Sequence, residues 1–399
     1  MISIIITLVV IGIVANYSGK LVEKLKLPSL IGMMIIGMLI GPAVLNLVPE
    51  GTLNIAPYIK DFALVTVLFI GGLGISMAQM KKIGRPAVLL SIVPATLEGF
   101  TIALLSTWLL GFDFIQGAIL GFIIAAVSPA VLVPAMVSLT DRGLGQKKAI
   151  PQMLLVGASA DDTIAITLFT TFLGIYMSRG TGESISILNQ IIMIPITIVL
   201  SIVIAWIVAK ISILLLKRIE NKYLVTIIAF GICLIMRLIE NIYHIEVFNS
   251  LLTIMIYGFL LSTYLESKSV EIKNSINKVW AVGKLYLFAF VGMAINPSLV
   301  GEFFVVGLIM LMISLSIRSI GVLISLIGTD LNAKEKLFCI IAYLPKATVQ
   351  SAKAGIPLQM GVAGGEIMQA IAILSVLITA PIGAIGIKLT EEKYLETSK

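Results

Sequence analysis

The sequence predicts an all-helical, multi-pass membrane protein with about thirteen transmembrane helices, arranged as two six-helix repeats of inverted topology. Hydrophobic residues make up 59% of the 399 residues and charged residues only 12%, whereas soluble domains contain about 45–50% and about 25%. A soluble fold of this length could not cover so much apolar surface. Two further observations support the prediction: basic residues are concentrated in alternate loops, and two proline-interrupted segments lie seven spans apart.

Thirteen apolar segments are long enough to cross a bilayer, which takes about 20 mostly apolar residues. They lie at about 2–20, 28–48, 61–79, 86–109, 115–138, 150–177, 188–216, 223–241, 247–265, 284–300, 302–327, 336–355 and 366–388. The first segment has no basic leader before it, so we expect a retained helix rather than a cleaved signal.

Lysine and arginine residues mark one side of the membrane. They occupy the loops at 20–26, 81–85, 142–148, 210–222, 268–284 and 334–336, and the tail from 388 onward. The intervening loops hold only Lys60, Arg179 and Lys353. Because basic loops remain in the cytoplasm, we expect a cell-membrane protein with its N-terminus outside and its C-terminus inside.

Several functional classes are excluded by composition. The two cysteines, Cys233 and Cys339, lie in apolar segments without a CxxC motif, and His244 is the single histidine. A zinc site or a Ser-His-Asp triad is therefore not predicted, and neither an enzyme activity nor a cofactor is expected. The basic residues form no single patch, so nucleic-acid binding is not expected either.

Two predicted helices are interrupted near their centres. The residues at the interruptions are Ser128, Pro129 and Pro134 in the first helix and Pro345, Lys346 and Thr348 in the second. Proline removes a backbone donor, and backbone groups freed inside a bilayer must face protein or a watery cavity. A simple proline kink is the alternative. Interrupted helices at matching positions of inverted repeats typically form the site of a secondary transporter.

Five charged residues are predicted at depth in the membrane. They are Glu98, Asp161, Asp162, Arg318 and Lys346. A charge at the bilayer centre costs about 2.5–3.5 kcal/mol on insertion scales. Ion pairs that only fix helix packing are one explanation, and a buried pair between Glu98 and Arg318 is expected. Three acids against two bases nevertheless leave one negative charge over, which can bind a cation or a proton but not both.

Oxygen ligands for such a cation are available at the interruptions. Carboxylates, hydroxyls and carbonyls suit sodium and lithium, so we expect Asp161 and Asp162 to be joined by Ser128 and Thr348. Lys346 is expected to offset the negative ends of the opposed half-helices.

At these residues the sequence resembles the monovalent cation:proton antiporters. The segment Ala158-Ser159-Ala160-Asp161-Asp162 is similar to the Asp-Asp signature of bacterial sodium/proton antiporters. The fuller pattern, with Ser128-Pro129-Ala130-Val131, Arg318 and Leu344-Pro345-Lys346-Ala347-Thr348-Val349-Gln350, resembles the NHA-type branch.

The resemblance implies a homodimer that exchanges sodium or lithium for protons at Asp161 and Asp162, with Asp162 as the principal ligand. It also implies an elevator-like movement of core helices, at about 61–177 and 284–388, against dimerisation helices at about 1–48 and 188–265. Arg318 stands where electrogenic relatives carry a lysine, which leaves the stoichiometry open.

Other functions remain open on the sequence alone. A potassium/proton antiporter can use similar acids. A sodium-coupled organic anion carrier shares the interrupted helices but would not need paired aspartates. A channel or a non-transporting sensor would lack saturable countertransport.

Overall fold

A computed structural model describes residues 2–25, 27–179, 187–243, 245 and 248–397. Its helices are α1 (Ile2–Lys24), α2 (Ser29–Ile40), α3 (Glu50–Leu73), α4 (Met77–Leu109), α5 (Phe114–Ile124), α6 (Pro129–Asp141), α7 (Ile150–Met177), α8 (Ile187–Lys217), α9 (Lys222–Tyr243), α10 (Ser250–Tyr264), α11 (Glu266–Met293), α12 (Pro297–Glu302), α13 (Phe304–Ser325), α14 (Ala333–Ala342), α15 (Thr348–Lys353), α16 (Ile356–Gln359) and α17 (Gly365–Tyr394). His244, and Lys26 and Lys399 of the basic segments, lie outside the described residues.

The predicted all-helical membrane fold is confirmed. Within the described residues, nine helical segments are long and apolar enough to cross a membrane, with α5 and α6 counting as one segment. The other four predicted spans correspond to the shorter apolar helices α2 and α10, to α11, and to the interrupted pair α14 and α15.

Several boundaries differ from those that hydropathy predicts. The segment 28–48 is helical only over Ser29–Ile40. The segment 284–300 covers the end of the 28-residue helix α11, which finishes at Met293, and the start of α12 at Pro297. Lys268 and Lys273 therefore lie on a helix, and Lys60 lies inside α3. A helix that extends beyond the bilayer need not be apolar there, so a hydropathy window finds only its membrane-embedded part.

The helices pack in two bundles. The scaffold bundle contains α1, α2, α3, α8, α9, α10 and α11, and the site bundle contains α4 to α7 and α12 to α17. The bundles meet where α6 packs on α3 and where α7 packs on α8 and α10. The sequence places 61–79 and 284–300 with the core helices, whereas α3 and α11 pack mainly within the scaffold bundle.

Glycines allow very close helix crossings inside the scaffold bundle. A Cβ atom on Gly37 of α2 would lie 2.1 Å from the Ala289 carbonyl oxygen of α11, and one on Gly72 of α3 would lie 2.1 Å from the Met255 carbonyl oxygen of α10. No side chain fits at such distances. In chain order, α2 and α3 of the first repeat correspond to α10 and α11 of the second. The α2–α11 crossing and the α3–α10 crossing are therefore equivalent positions in the two repeats.

Each interrupted helix is a pair of half-helices. Residues 125–128 separate α5 from α6, and residues 343–347 separate α14 from α15. Pro129 is the first residue of α6, where the missing N–H has no helical partner to lose, and Pro345 lies inside the second interruption. Pro134 is predicted from the sequence to break the helix, but it lies within α6. One internal proline removes a single helical bond, so the interruption precedes Pro129 and does not extend to Pro134.

Candidate ion-binding site

The two interruptions cross and bond to each other. The backbone N–H of Ser128 donates to the Pro345 carbonyl oxygen at 2.8 Å. The buried Gln350 side chain donates from Nε2 to the Ala126 carbonyl oxygen at 2.8 Å and accepts from the Ala347 N–H at 2.9 Å. These backbone groups, which the breaks free, are thus paired within the protein, as a lipid environment requires.

Arg318 lies against the ends of both N-terminal half-helices. Its Nε donates to the Tyr343 carbonyl oxygen at 2.8 Å and its Nη1 to the Ala125 carbonyl oxygen at 2.5 Å. These residues cap the C-terminal ends of α14 and α5, which carry partial negative charge. The sequence predicts this role for Lys346, whose Nζ also reaches the Ala125 carbonyl oxygen, at 3.2 Å. The structure therefore divides the role between the two cations.

Glu98 bridges both buried cations. Its Oε2 lies 2.7 Å from Arg318 Nη1 and 2.6 Å from Lys346 Nζ. Asp161 belongs to the same network, since its Oδ2 accepts from the Val127 N–H at 2.7 Å and lies 3.4 Å from Arg318 Nη2. The sequence pairs Arg318 with Glu98 and leaves Asp161 for the transported ion, whereas the structure gives Arg318 two acidic partners.

Asp162 is the acid outside this network. It follows Asp161 on α7, so its side chain leaves the helix about 100° away. It is 5% exposed, and within the described part of the chain it has no ion pair with a lysine or arginine. Among the three acids of the five-residue cluster, Asp162 is therefore the one without a basic partner in the described residues.

Four buried oxygen atoms around the crossing make no hydrogen bond within the described residues. They are Asp161 Oδ1, Asp162 Oδ1, Ser128 Oγ and Thr348 Oγ1. An unpaired buried polar group costs about 1–3 kcal/mol, and oxygen atoms without donors are what a hard cation binds. The atoms belong to the four residues that the sequence predicts as cation ligands. Glu98 Oε1 is unpaired as well.

Sequence reasoning missed several residues that build the site. Gln350 belongs to the motif at 344–350, but no role is predicted for it, although an amide side chain beside an interruption within a membrane span indicates one. Tyr343 contributes a carbonyl oxygen, and Thr379 accepts the Lys346 N–H at 2.8 Å through its hydroxyl. Asn249 donates to the Thr163 hydroxyl at 2.7 Å. Nothing in the spacing of these three residues indicates their partners.

Crossed half-helices around buried acids, enclosed in an all-helical membrane fold, are the architecture of ion-coupled secondary transporters. The chain belongs to the sodium/hydrogen exchanger family, since the family described as "Sodium/hydrogen exchanger, transmembrane" matches residues 4–393. It is therefore a multi-pass membrane antiporter of the cation/proton class rather than an enzyme, and the resemblance drawn from the sequence is confirmed.

Individual relatives agree with this assignment. Sodium/hydrogen exchanger 9B2 from Homo sapiens is 31% identical over a 409-residue alignment that covers 96% of this chain and 73% of that protein. Sodium/hydrogen exchanger 9B1 from Mus musculus is 30% identical, with 98% and 71% covered. The fold is similar to the solved structure of the sodium proton antiporter MjNhaP1 from Methanocaldococcus jannaschii at pH 8, with a TM-score of 0.78, 20% identity and 98% of both chains covered.

Proposed function

We propose that the protein exchanges sodium, or lithium, for protons and that Asp162 is the exchanging group. The observation that carries the proposal is that Asp162 is a buried acid with no basic partner, and that it shares with Asp161, Ser128 and Thr348 a buried oxygen atom that has no donor among the described residues. As a carboxylate, Asp162 carries a negative charge that needs a counter-charge. A bound cation or a bound proton neutralises this charge equally well. Glu98, Arg318 and Lys346 form the buried ion pairs beside the half-helix ends and hold those ends in place.

Competition at one carboxylate couples the two gradients. An empty site carries a net negative charge, which is costly to move through the membrane interior. A site loaded with a cation or a proton is neutral and moves more easily. Each movement of the site through the membrane therefore carries either a cation or a proton. The gradient of one ion drives the transport of the other, so the exchange needs no separate energy source.

Alternating access is proposed to come from an elevator-like movement of the site bundle along the scaffold bundle. Asp162 lies on the turn of α7 that touches the scaffold, because its neighbour Ser159 contacts Met255 Sδ at 3.0 Å and Thr163 bonds to Asn249 at 2.7 Å. The packing favours α4 to α7 and α12 to α17 as the moving unit. On this division α3 and α11 stay with the scaffold.

The exchange is proposed to be electroneutral, with one proton for one cation. Arginine is effectively always protonated, so Arg318 carries no transported proton. Asp161 is already bonded to the Val127 N–H and lies beside Arg318, which leaves Asp162 to take the proton. Proteoliposomes with a valinomycin-clamped potential test this. A rate that does not change with the imposed potential supports one-for-one exchange, and a strong increase contradicts it.

The protein is proposed to act as a homodimer through exposed scaffold helices. Ile5, Val9 and Ile13 of α1 and Ile211 of α8 are each at least half exposed. The sequence groups segment 247–265 with these helices, whereas α10 is largely buried within the scaffold. A fully active monomer in native mass spectrometry and reconstitution would remove the dimer from the proposal.

Placement in the cytoplasmic membrane, with the N-terminus outside and the C-terminus inside, follows from the basic loops. A single cysteine introduced near either end and labelled with a membrane-impermeant reagent tests the orientation. Labelling of the C-terminal end in intact cells would contradict it.

The cation is tested in proteoliposomes that contain a pH-sensitive dye. Sodium, lithium and potassium salts are added in turn after a proton gradient is imposed. We expect sodium or lithium to dissipate the gradient and Asp162→Asn to be inactive while it still inserts. Dissipation by potassium alone would favour the potassium/proton alternative, and sodium-driven uptake of an organic anion would favour the carrier alternative.

A further inference from the structure

One polar contact between the two bundles lies directly beside the candidate site. Asn249, in the scaffold bundle, donates from Nδ2 to the hydroxyl oxygen of Thr163 at 2.7 Å. Thr163 follows Asp162 on α7 and is only 4% exposed. The bond therefore joins the scaffold to the helical turn that carries the exchanging acid.

Asn249 is held firmly by its own bundle. Its Oδ1 accepts from the Leu252 N–H at 2.9 Å and so caps the N-terminus of α10, while its backbone N–H donates to Ser201 Oγ of α8 at 3.1 Å. With these groups committed to the scaffold, the side-chain NH₂ group faces the site bundle. Asn249 is therefore held in the scaffold bundle, and its side-chain NH₂ group contacts α7 from that bundle.

We infer that Asn249 is a positioning residue whose bond to Thr163 forms in one access state of the exchanger and breaks in the other. The inference rests on the proposed movement of the site bundle. An N–H···O bond is limited to about 2.7–3.2 Å, so displacement of α7 along α10 by one helical residue, about 1.5 Å, is enough to break it. The bond stabilises the state in which it is present.

The bond therefore sets the balance between the two states. A neutral hydrogen bond of ordinary strength changes an equilibrium by about 2- to 10-fold. The apparent affinity of a ligand falls in proportion to the fraction of protein in the binding-competent state. Loss of the bond depletes one state and enriches the other, so the apparent KM for the cation should move in opposite directions on the two faces of the membrane.

Transport in everted and in right-side-out membrane vesicles tests the inference with sodium chloride as the probe. Thr163→Val removes the acceptor, and Asn249→Ser keeps a helix-capping side chain that is too short to reach Thr163. Each variant should raise KM about 2- to 10-fold on one face and lower it on the other. The double variant should change KM no more than either single variant, because both remove the same bond.

Two matched controls separate this effect from general damage to α7. Thr163→Ser keeps the hydroxyl and should behave as the wild type. Thr167→Val is the same substitution one turn away, where the hydroxyl donates to the Thr163 carbonyl oxygen at 2.8 Å within the helix, and it should leave KM unchanged on both faces.

Equal changes of KM on both faces, no change, or an identical effect of Thr167→Val would overturn the inference. A wild-type protein that exchanges none of the alkali cations would instead contradict the proposed function. The two failures are therefore distinguishable.

Discussion

Replacement of Glu98 by glutamine should destabilise the protein strongly, because one carboxylate oxygen bonds to two buried cations. Oε2 lies 2.7 Å from Arg318 Nη1 and 2.6 Å from Lys346 Nζ, and all three side chains are almost fully buried. Two opposite charges about 4 Å apart attract by about 4 kcal/mol at an effective dielectric constant of about 20. Removing one partner of a buried pair typically costs about 3–5 kcal/mol.

Most of the destabilisation should arise because Lys346 is left without a counter-charge. Arg318 retains Asp161 at 3.4 Å, whereas Lys346 retains, among the described residues, a single hydrogen-bond partner, the Ala125 carbonyl oxygen at 3.2 Å. We therefore expect Glu98→Gln to lower the free energy of unfolding by about 3–5 kcal/mol. The double variant with Lys346→Met should recover most of that loss, because it removes the stranded cation.

Thermal unfolding of the purified protein, followed by tryptophan fluorescence, measures these changes. Asp141→Asn is the control, because it breaks the 2.7 Å pair with Lys273 at a position where the Asp141 side chain is 51% exposed. That change should cost no more than about 1 kcal/mol. A Glu98→Gln protein as stable as Asp141→Asn would refute the assignment of Glu98 as the shared counter-charge.

Three further predictions use the same melting assay. Lys346→Ala should lower stability by about 3–5 kcal/mol without changing cation preference, and unchanged stability with a new preference would contradict its role. Gln350→Ala should cost about 1–3 kcal/mol, because it unpairs the Ala126 carbonyl and the Ala347 N–H, and wild-type stability would count against the amide bridge. The hydrogen bond from the Arg179 guanidinium holds the pKa of Asp113 below its ordinary value. The stabilisation by this exposed pair is therefore fully present above the ordinary pKa of an aspartate and is lost as the pH falls through the lowered pKa of Asp113. Asp113→Asn should accordingly reduce the acid sensitivity of the melting temperature. An unaltered acid profile of the melting temperature would contradict this.

Much of the fold could be predicted because its physical signals are local. Apolar length, loop charge and mid-span proline identify membrane helices, their direction and the two interruptions without any tertiary information. Hydropathy missed the first half of α11, since a charged helix outside the bilayer resembles a loop on that criterion. It also could not show that α3 packs with the scaffold, because that packing depends on the close approach of Gly72 to α10.

The site was predictable in composition but not in connectivity. Charges inside a membrane are costly enough to identify Glu98, Asp161, Asp162, Arg318 and Lys346 from the sequence. Which acid meets which base depends on helix orientation across up to 248 residues of chain, as for Glu98 and Lys346. Residues that act through short polar groups, such as Asn249 and Thr379, carry no charge and give no such signal.

The most direct test of the account is the pH dependence of the apparent KM for sodium in reconstituted wild-type protein, with Asp162→Asn beside it. If one proton and one cation compete for Asp162, KM should rise by up to about tenfold for each unit of decreasing pH, while the maximal rate at saturating sodium stays constant. Asp162→Asn should show no exchange at any pH. A KM that is independent of pH, or sustained exchange by Asp162→Asn, would contradict competition at this carboxylate.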